Sequence, residues 1–332
     1  MSIDQTKGIT PIDPSTDPAI ESRTKAFLNA LNSGGGKPIE ELSPSDARGV
    51  LTGAQRSVAV DLSGISIEEK TIVQSGVEVL LYIVKPSEAA GELPGFIFVH
   101  GGGWVLGDFE THQRLVRDLV VHSGAAAVFV EYSRSPEARY PVAINEIYAA
   151  LEWVAAHGKE VGIDSSRLAV AGNSVGGNMA AVLALMAKDK NGPALKVQIL
   201  LWPVTDANFD TDSYHQYATG RFLTRNMMQW FWDAYIPDAG ARNDVYASPL
   251  QASTSRLQGL PPALVQVAEN DVLRDEGEAY ARKLDEAGVP VTLVRYQGMI
   301  HDFGLLNPLH DVPGVRSHVL QAGAELKKYL FS

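Results

Sequence analysis

The sequence predicts an α/β fold: a mostly parallel, eight-stranded sheet flanked by helices and covered by a helical cap. Three observations carry this reading. From residue 57 onward, short apolar runs alternate with helical patterns, as strands joined by crossover helices do. The later runs are continuous in Val, Ile and Phe rather than alternating, which suits strands buried on both faces. One stretch, 205–240, breaks the alternation with a segment dense in aromatic residues, a composition suited to a lid over a pocket.

The elements follow in chain order. Residues 1–50 are rich in Pro, Ser, Asp and Gly around one amphipathic stretch. There Ala19, Ile20, Ala26, Phe27, Ala30 and Leu31 fall at helical spacing, and Gly34-Gly35-Gly36 ends it. Lys37-Pro38 then follows where a phosphate loop would have Lys-Ser/Thr, so the glycines read as a flexible joint. Candidate strands span 65–73, 77–84, 96–99, 126–132, 168–171, 197–202, 263–268 and 291–296. The first two, joined through Gln74-Ser75-Gly76, make an antiparallel start. Helical patterns cover 114–122, 142–157, 177–188 and 276–287. The expected division is a cap from 1–50 and 205–240, and a catalytic domain from 51–204 and 241–332.

Composition removes several function classes. A chain of 332 residues can bury a large core without disulfides, and it has no Cys at all. Thiol nucleophiles, Cys-ligated zinc and iron–sulfur clusters are thereby excluded. With 28 Lys and Arg against 39 Asp and Glu the net charge is −11, a poor match to nucleic acid. Met1 to Thr16 has no apolar leader and no apolar run is long enough to span a bilayer. The expectation is a cytoplasmic protein without a membrane partner.

Gly172-Asn173-Ser174-Val175-Gly176 lies between the apolar run Leu168-Ala169-Val170-Ala171 and a helical pattern. Strand, G-x-S-x-G, helix is the arrangement that lifts a serine hydroxyl above a sheet edge on a strained turn. Such a serine needs a base, and the base needs a carboxylate to orient it. In the chain order Ser, acid, His, the base is His301, just past the last strand. His215 falls inside the cap segment, and His310 and His318 in the C-terminal helical region. Asp271 is the first carboxylate after the run 263–268, with Asp275 as the alternative at the start of the next helix.

His100-Gly101-Gly102-Gly103-Trp104 follows the strand at 96–99. Glycines leave backbone N–H groups open to a developing oxyanion, so Gly102, Gly103 and Val175 are the expected donors. His100 is expected to fix this loop by hydrogen bonding. An ordinary imidazole base predicts activity rising through an apparent pKa of ~6–7.

Together with Tyr132-Ser133-Arg134-Ser135-Pro136-Glu137, Tyr140-Pro141 and the run from Glu269 to Glu276, these motifs resemble the hormone-sensitive-lipase-like esterases of the α/β-hydrolase superfamily. The resemblance covers essentially the whole chain. It implies an α/β-hydrolase fold and a carboxylesterase acting on a small-molecule ester, with a cap built from the N-terminal segment and a later insertion. It also implies a homodimer paired through residues 291–296. Candidate substrate-lining residues are Trp104, Phe222, Trp230 and Phe27. The chain departs from the family pattern at Asn173 (usually Asp or Thr), at Ser133-Arg134-Ser135 (usually Arg-Leu-Ala), and at Asp302 (usually Gly).

No H-E-x-x-H and no dinucleotide-binding glycine pattern occurs, so neither metal nor cofactor is expected. The remaining alternatives are an amidase, arylformamidase or thioesterase on the same residues, and a non-catalytic small-molecule receptor. Bulky residues in the cap predict a preference for short acyl chains.

Overall fold

The computed structural model describes residues 12–332. Residues 1–11 of the expected cap lie outside the described residues. Eight strands form one sheet: β1 (Ile65–Gln74), β2 (Val77–Pro86), β3 (Leu93–Val99), β4 (Ala126–Glu131), β5 (Ile163–Asn173), β6 (Gln198–Leu201), β7 (Ala263–Asn270) and β8 (Val291–Ile300). Their spatial order is β1-β2-β4-β3-β5-β6-β7-β8. β2 runs antiparallel to both of its neighbours, and every later pairing is parallel. All eight strands answer to the predicted runs. β5 starts earlier than expected because Asp164-Ser165-Ser166-Arg167 is too polar to read as strand.

The helices are α1 (Ser22–Ser33), α2 (Pro44–Arg56), α3 (Phe109–Ser123), α4 (Val142–His157), α5 (Val175–Asp189), α6 (Asp212–Gln216), α7 (Arg225–Tyr235), α8 (Thr254–Leu257), α9 (Arg274–Glu286) and α10 (Pro313–Leu330). Helix α2 has no counterpart in the sequence reading. It runs across residues 50 and 51, where cap and catalytic domain were divided. Gly49 and Gly53 dilute its apolar pattern. Its start is nevertheless well specified: Ser43 caps the Asp46 N–H at 3.1 Å and Pro44 takes the first turn.

The inner strands β3 to β7 are largely buried on both faces, whereas the edge strand β8 is half-exposed, and alternate residues of the inner strands serve two cores. Ile97 and Val99 of β3 belong to the core that also holds residues of α4, α5 and α9, whereas Phe96 and Phe98 belong to the one that holds residues of α3 and α10. This double burial makes the sequence of each inner strand continuously apolar. It also sets the site. β3, β5, β7 and β8 are parallel and end immediately before His100, Ser174, Asp271 and His301 respectively. One edge of the sheet therefore receives all four loops.

Candidate active site

Ser174 occupies the turn between β5 and α5 with φ 56° and ψ −122°, a conformation rarely adopted by a non-glycine residue. The turn survives because its neighbours are small. A Cβ at Gly176 would run into the Val99 carbonyl oxygen, so the flanking glycine is a packing requirement of the tight crossing. The Ser174 N–H is held by the Leu201 carbonyl at 2.9 Å.

His301 Nε2 lies 2.9 Å from Ser174 Oγ, and His301 Nδ1 lies 2.7 Å from Asp271 Oδ2. The other Asp271 oxygen accepts the Leu273 N–H at 3.0 Å, which fixes the carboxylate. Asp275 is engaged elsewhere, by the Ser213 N–H at 2.8 Å and the Arg274 side chain at 2.9 Å. The structure thus brings Ser174, His301 and Asp271 together. All three are buried. Burial pushes the His301 imidazole down, but the carboxylates of Asp271 and Asp302 outweigh it and leave it above its ordinary value.

The glycine loop faces this group. Gly102 and Gly103 have φ of +107° and +63°, and the ring of Phe231 fills the space a Gly103 Cβ would need. Both glycines share the wall of one cavity with Ser174, His301 and Asp302. Val175, at the first position of α5, buries its side chain, and its N–H is among those a helix start leaves without an intrahelical partner. The loop is fixed from behind. Arg48 of α2 donates to the Val105 carbonyl at 2.8 Å and pairs with Glu137 at 2.7 Å. Tyr132 Oη donates to the His100 carbonyl at 3.0 Å. His100 itself stacks on Tyr132 at 4.0 Å and meets the Gly101 carbonyl through Nδ1 at 2.8 Å.

The cavity has a volume of about 710 Å³, within the usual range for small-molecule sites. Phe27 and Phe222 line it, with their rings 6.3 Å apart. Trp104 and Trp230 are not on its walls, which corrects the sequence reading. Trp104 is buried and stacks on Tyr235 at 4.3 Å, behind the glycine loop. Trp230 is half-buried and lies about a quarter turn round α7 from Phe231. On that helix Met227, Met228 and Phe231 reach the cavity instead. Leu51 of α2 and Leu106 also line it and were missed; the Ser43-Pro44 helix start was the available signal. The lining role of Asp302 was missed as well, although its departure from the family pattern was visible.

A model of the alpha/beta hydrolase fold family matches residues 96–305. The chain belongs to that family, in its hormone-sensitive-lipase-like branch. A carboxylesterase of Mycobacterium tuberculosis is 36% identical over 271 residues, covering 81% of this chain and 84% of its own. An alpha/beta hydrolase of Acanthamoeba polyphaga mimivirus is 38% identical over 301 residues, covering 90% of this chain and 84% of its own. The crystal structure of a thermostable esterase from Pseudomonas putida superposes with a TM-score of 0.94 at 66% identity, covering 95% of this chain and 98% of that one. Among the described residues, no helix is long and apolar enough to cross a membrane.

Proposed function

We propose that the chain is a serine carboxylesterase that hydrolyses short- and medium-chain acyl esters through an acyl-enzyme. The observation that carries this is the hydrogen-bonded series Ser174–His301–Asp271 opening onto an apolar cavity beside a glycine loop. The esterase relatives support the choice of ester over other acyl groups.

In this reading the Ser174 proton passes to His301 Nε2 as Oγ bonds to the ester carbonyl carbon. The carbonyl electron pair moves onto oxygen, where the N–H groups of Gly102, Gly103 and Val175 stabilise it. Asp271 holds the imidazole tautomer and stabilises the imidazolium. The imidazolium then protonates the departing alcohol, and water repeats the sequence on the acyl-enzyme. Amide and thioester hydrolysis would use the same steps with a different leaving group. A matched panel of esters, amides and thioesters separates them.

The cap is proposed to comprise the described part of residues 12–56 together with 205–240, because α1, α2 and α7 supply the apolar cavity walls. A homodimer through β8 is proposed because that strand ends the sheet and exposes Leu293. The decisive test is to treat the protein with a fluorophosphonate and assay 4-nitrophenyl butyrate. Labelling at Ser174 and loss of turnover are expected. An enzyme that neither labels nor turns over, as a receptor would behave, overturns the reading.

A further inference from the structure

Directly after His301 stands a second buried carboxylate. Asp302 has φ +57° and is 5% exposed. Its Oδ1 accepts the Trp202 indole N–H at 2.7 Å and the Asn173 amide N–H at 3.0 Å. Asn173, on the other side of its amide, accepts the Gly101 N–H at 3.0 Å. The remaining oxygen, Oδ2, lies 3.8 Å from His301 Nε2, the nitrogen that faces Ser174. One carboxylate therefore touches the elbow, the glycine loop through Asn173, and the reacting edge of the histidine.

We propose that Asp302 is a positioning residue with two tasks: through Asn173 it fixes the glycine loop, and through Oδ2 it stabilises the positive charge that develops on His301. This rests on the serine-esterase reading above. A carboxylate 3.8 Å from Nε2 is too far to compete with Ser174 for a hydrogen bond, yet close enough to favour an imidazolium in a buried site. Asp271 acts on the opposite nitrogen, so the ring is flanked by carboxylates on both edges. The link through Asn173 has a separate consequence. A glycine loop has no side chains of its own with which to hold its N–H groups in register. The Gly101 N–H is anchored by Asn173 and by His112 Nε2 at 3.2 Å.

Burial drives the other titratable groups facing this assembly toward their neutral forms. His112 on α3 is pushed down to about 4 by burial, so it is neutral. Behind Asp271, burial drives Glu276 of α9 well above the usual carboxyl value and the Tyr214 hydroxyl of α6 well above its own.

The test compares three single variants and one double variant by kcat and KM for 4-nitrophenyl acetate, the pH profile of kcat/KM, and Tm. Asp302→Asn keeps an acceptor for Trp202 and Asn173 but removes the charge. It should lower the acid-limb midpoint by roughly half a pH unit or more and reduce plateau kcat about threefold to tenfold, with KM nearly unchanged. Asp302→Gly removes both functions in a residue suited to the same φ, and should lose about thirtyfold or more in kcat. Asn173→Ala breaks the loop link and one hydrogen bond to Asp302 but keeps the carboxylate beside His301, with about a tenfold loss and an unmoved midpoint. Combining Asn173→Ala with Asp302→Gly should add little to the glycine variant, because both cut one path. A wild-type midpoint and kcat in Asp302→Asn, or fully additive losses in the double variant, overturns the proposal. Should Asn173→Ala fail to fold, the pH shift in Asp302→Asn decides alone. If wild type itself neither labels with fluorophosphonate nor turns over, the parent reading has failed instead.

Discussion

Two histidines stand just past the ends of parallel strands on the same edge of the sheet, and they behave in opposite ways. His100 follows β3 and His301 follows β8; both are buried. Burial drives His100 well below the ordinary imidazole value, and its ring is held between Tyr132 and Phe129 with Nε2 unpartnered. His301 suffers the same burial, yet the carboxylates of Asp271 and Asp302 reverse its direction. Burial is thus common to both, and the neighbouring carboxylates make one a base. His100 serves as an aromatic wall behind the glycine loop.

The most severe way to break this comparison is to remove each ring. Ser174→Ala and His301→Ala should each lose about 10⁴-fold or more in kcat, and the double variant should be hardly worse, since the residues act as a unit. His100→Phe keeps the stack on Tyr132 and should stay within about tenfold of wild type, with its main effect on Tm. A folded His100→Phe as inactive as His301→Ala would mean that the glycine-loop histidine also takes part in proton transfer. On the acid side, Asp271→Asn should lose about 10³-fold to 10⁴-fold through the wrong imidazole tautomer. Asp275→Asn should lose about tenfold or less, as expected of a contact outside the triad. The reverse order would move the acid to Asp275.

The pH dependence sharpens the same contrast. His301 must be neutral to accept the Ser174 proton, and its pKa is raised. The acid limb of kcat/KM should therefore lie above 6.5, where an unshifted imidazole would titrate. Stability also falls on the acid side, through the histidines that burial depresses. His112 and His318 are pushed down by burial to about 4 and about 3. The unfolded chain binds protons at these sites first, so stability is full above 6.5 and falls as pH drops toward those values. Each contributes up to about 1.4 kcal/mol per pH unit across its window. Calorimetry from pH 7 to 4 should show Tm falling, and replacing His112 by Gln should flatten that slope. An unchanged slope would place the acid sensitivity elsewhere.

The site was legible in the sequence wherever chemistry is written as short-range spacing. Gly172-Asn173-Ser174-Val175-Gly176 encodes its own turn, and His100 to Trp104 encodes its own loop. Asp271 and His301 could be placed because each follows a readable strand. The pocket was less legible because its walls come from segments far apart in the chain: Phe27, Leu51, Leu106, Phe222 and Phe231 meet only after folding. Helix α2 was invisible to hydrophobic periodicity, since only Ala47, Leu51 and Gln55 are buried on it. Aromatic density located α7 but could not say which ring faces where. Trp104 and Trp232 look like pocket residues by type, yet they pack against each other at 4.7 Å.

That last distinction yields the smallest expected effect. Phe222 and Trp230 belong to the same cap insertion and look equivalent in sequence. In the structure Phe222, held at φ +72°, lines the cavity beside Phe27, while Trp230 is not on its walls. Each methylene that still finds a buried place adds ~0.8 kcal/mol, or about fourfold in kcat/KM. Across 4-nitrophenyl esters, kcat/KM should climb over the shortest acyl chains, peak at about four to six carbons, and fall once the chain meets the cap. Phe222→Ala opens the wall and should move the peak up by about two carbons, since a buried ring is replaced by space an acyl tail can fill. Trp230→Ala should leave the peak where it is and alter mainly Tm. The measurement is kcat/KM over the acyl series for the three proteins. If Trp230→Ala moves the peak and Phe222→Ala does not, the acyl chain runs along the other side of α7. Efficient palmitoyl ester hydrolysis by wild type would show that the cap does not close the pocket at all.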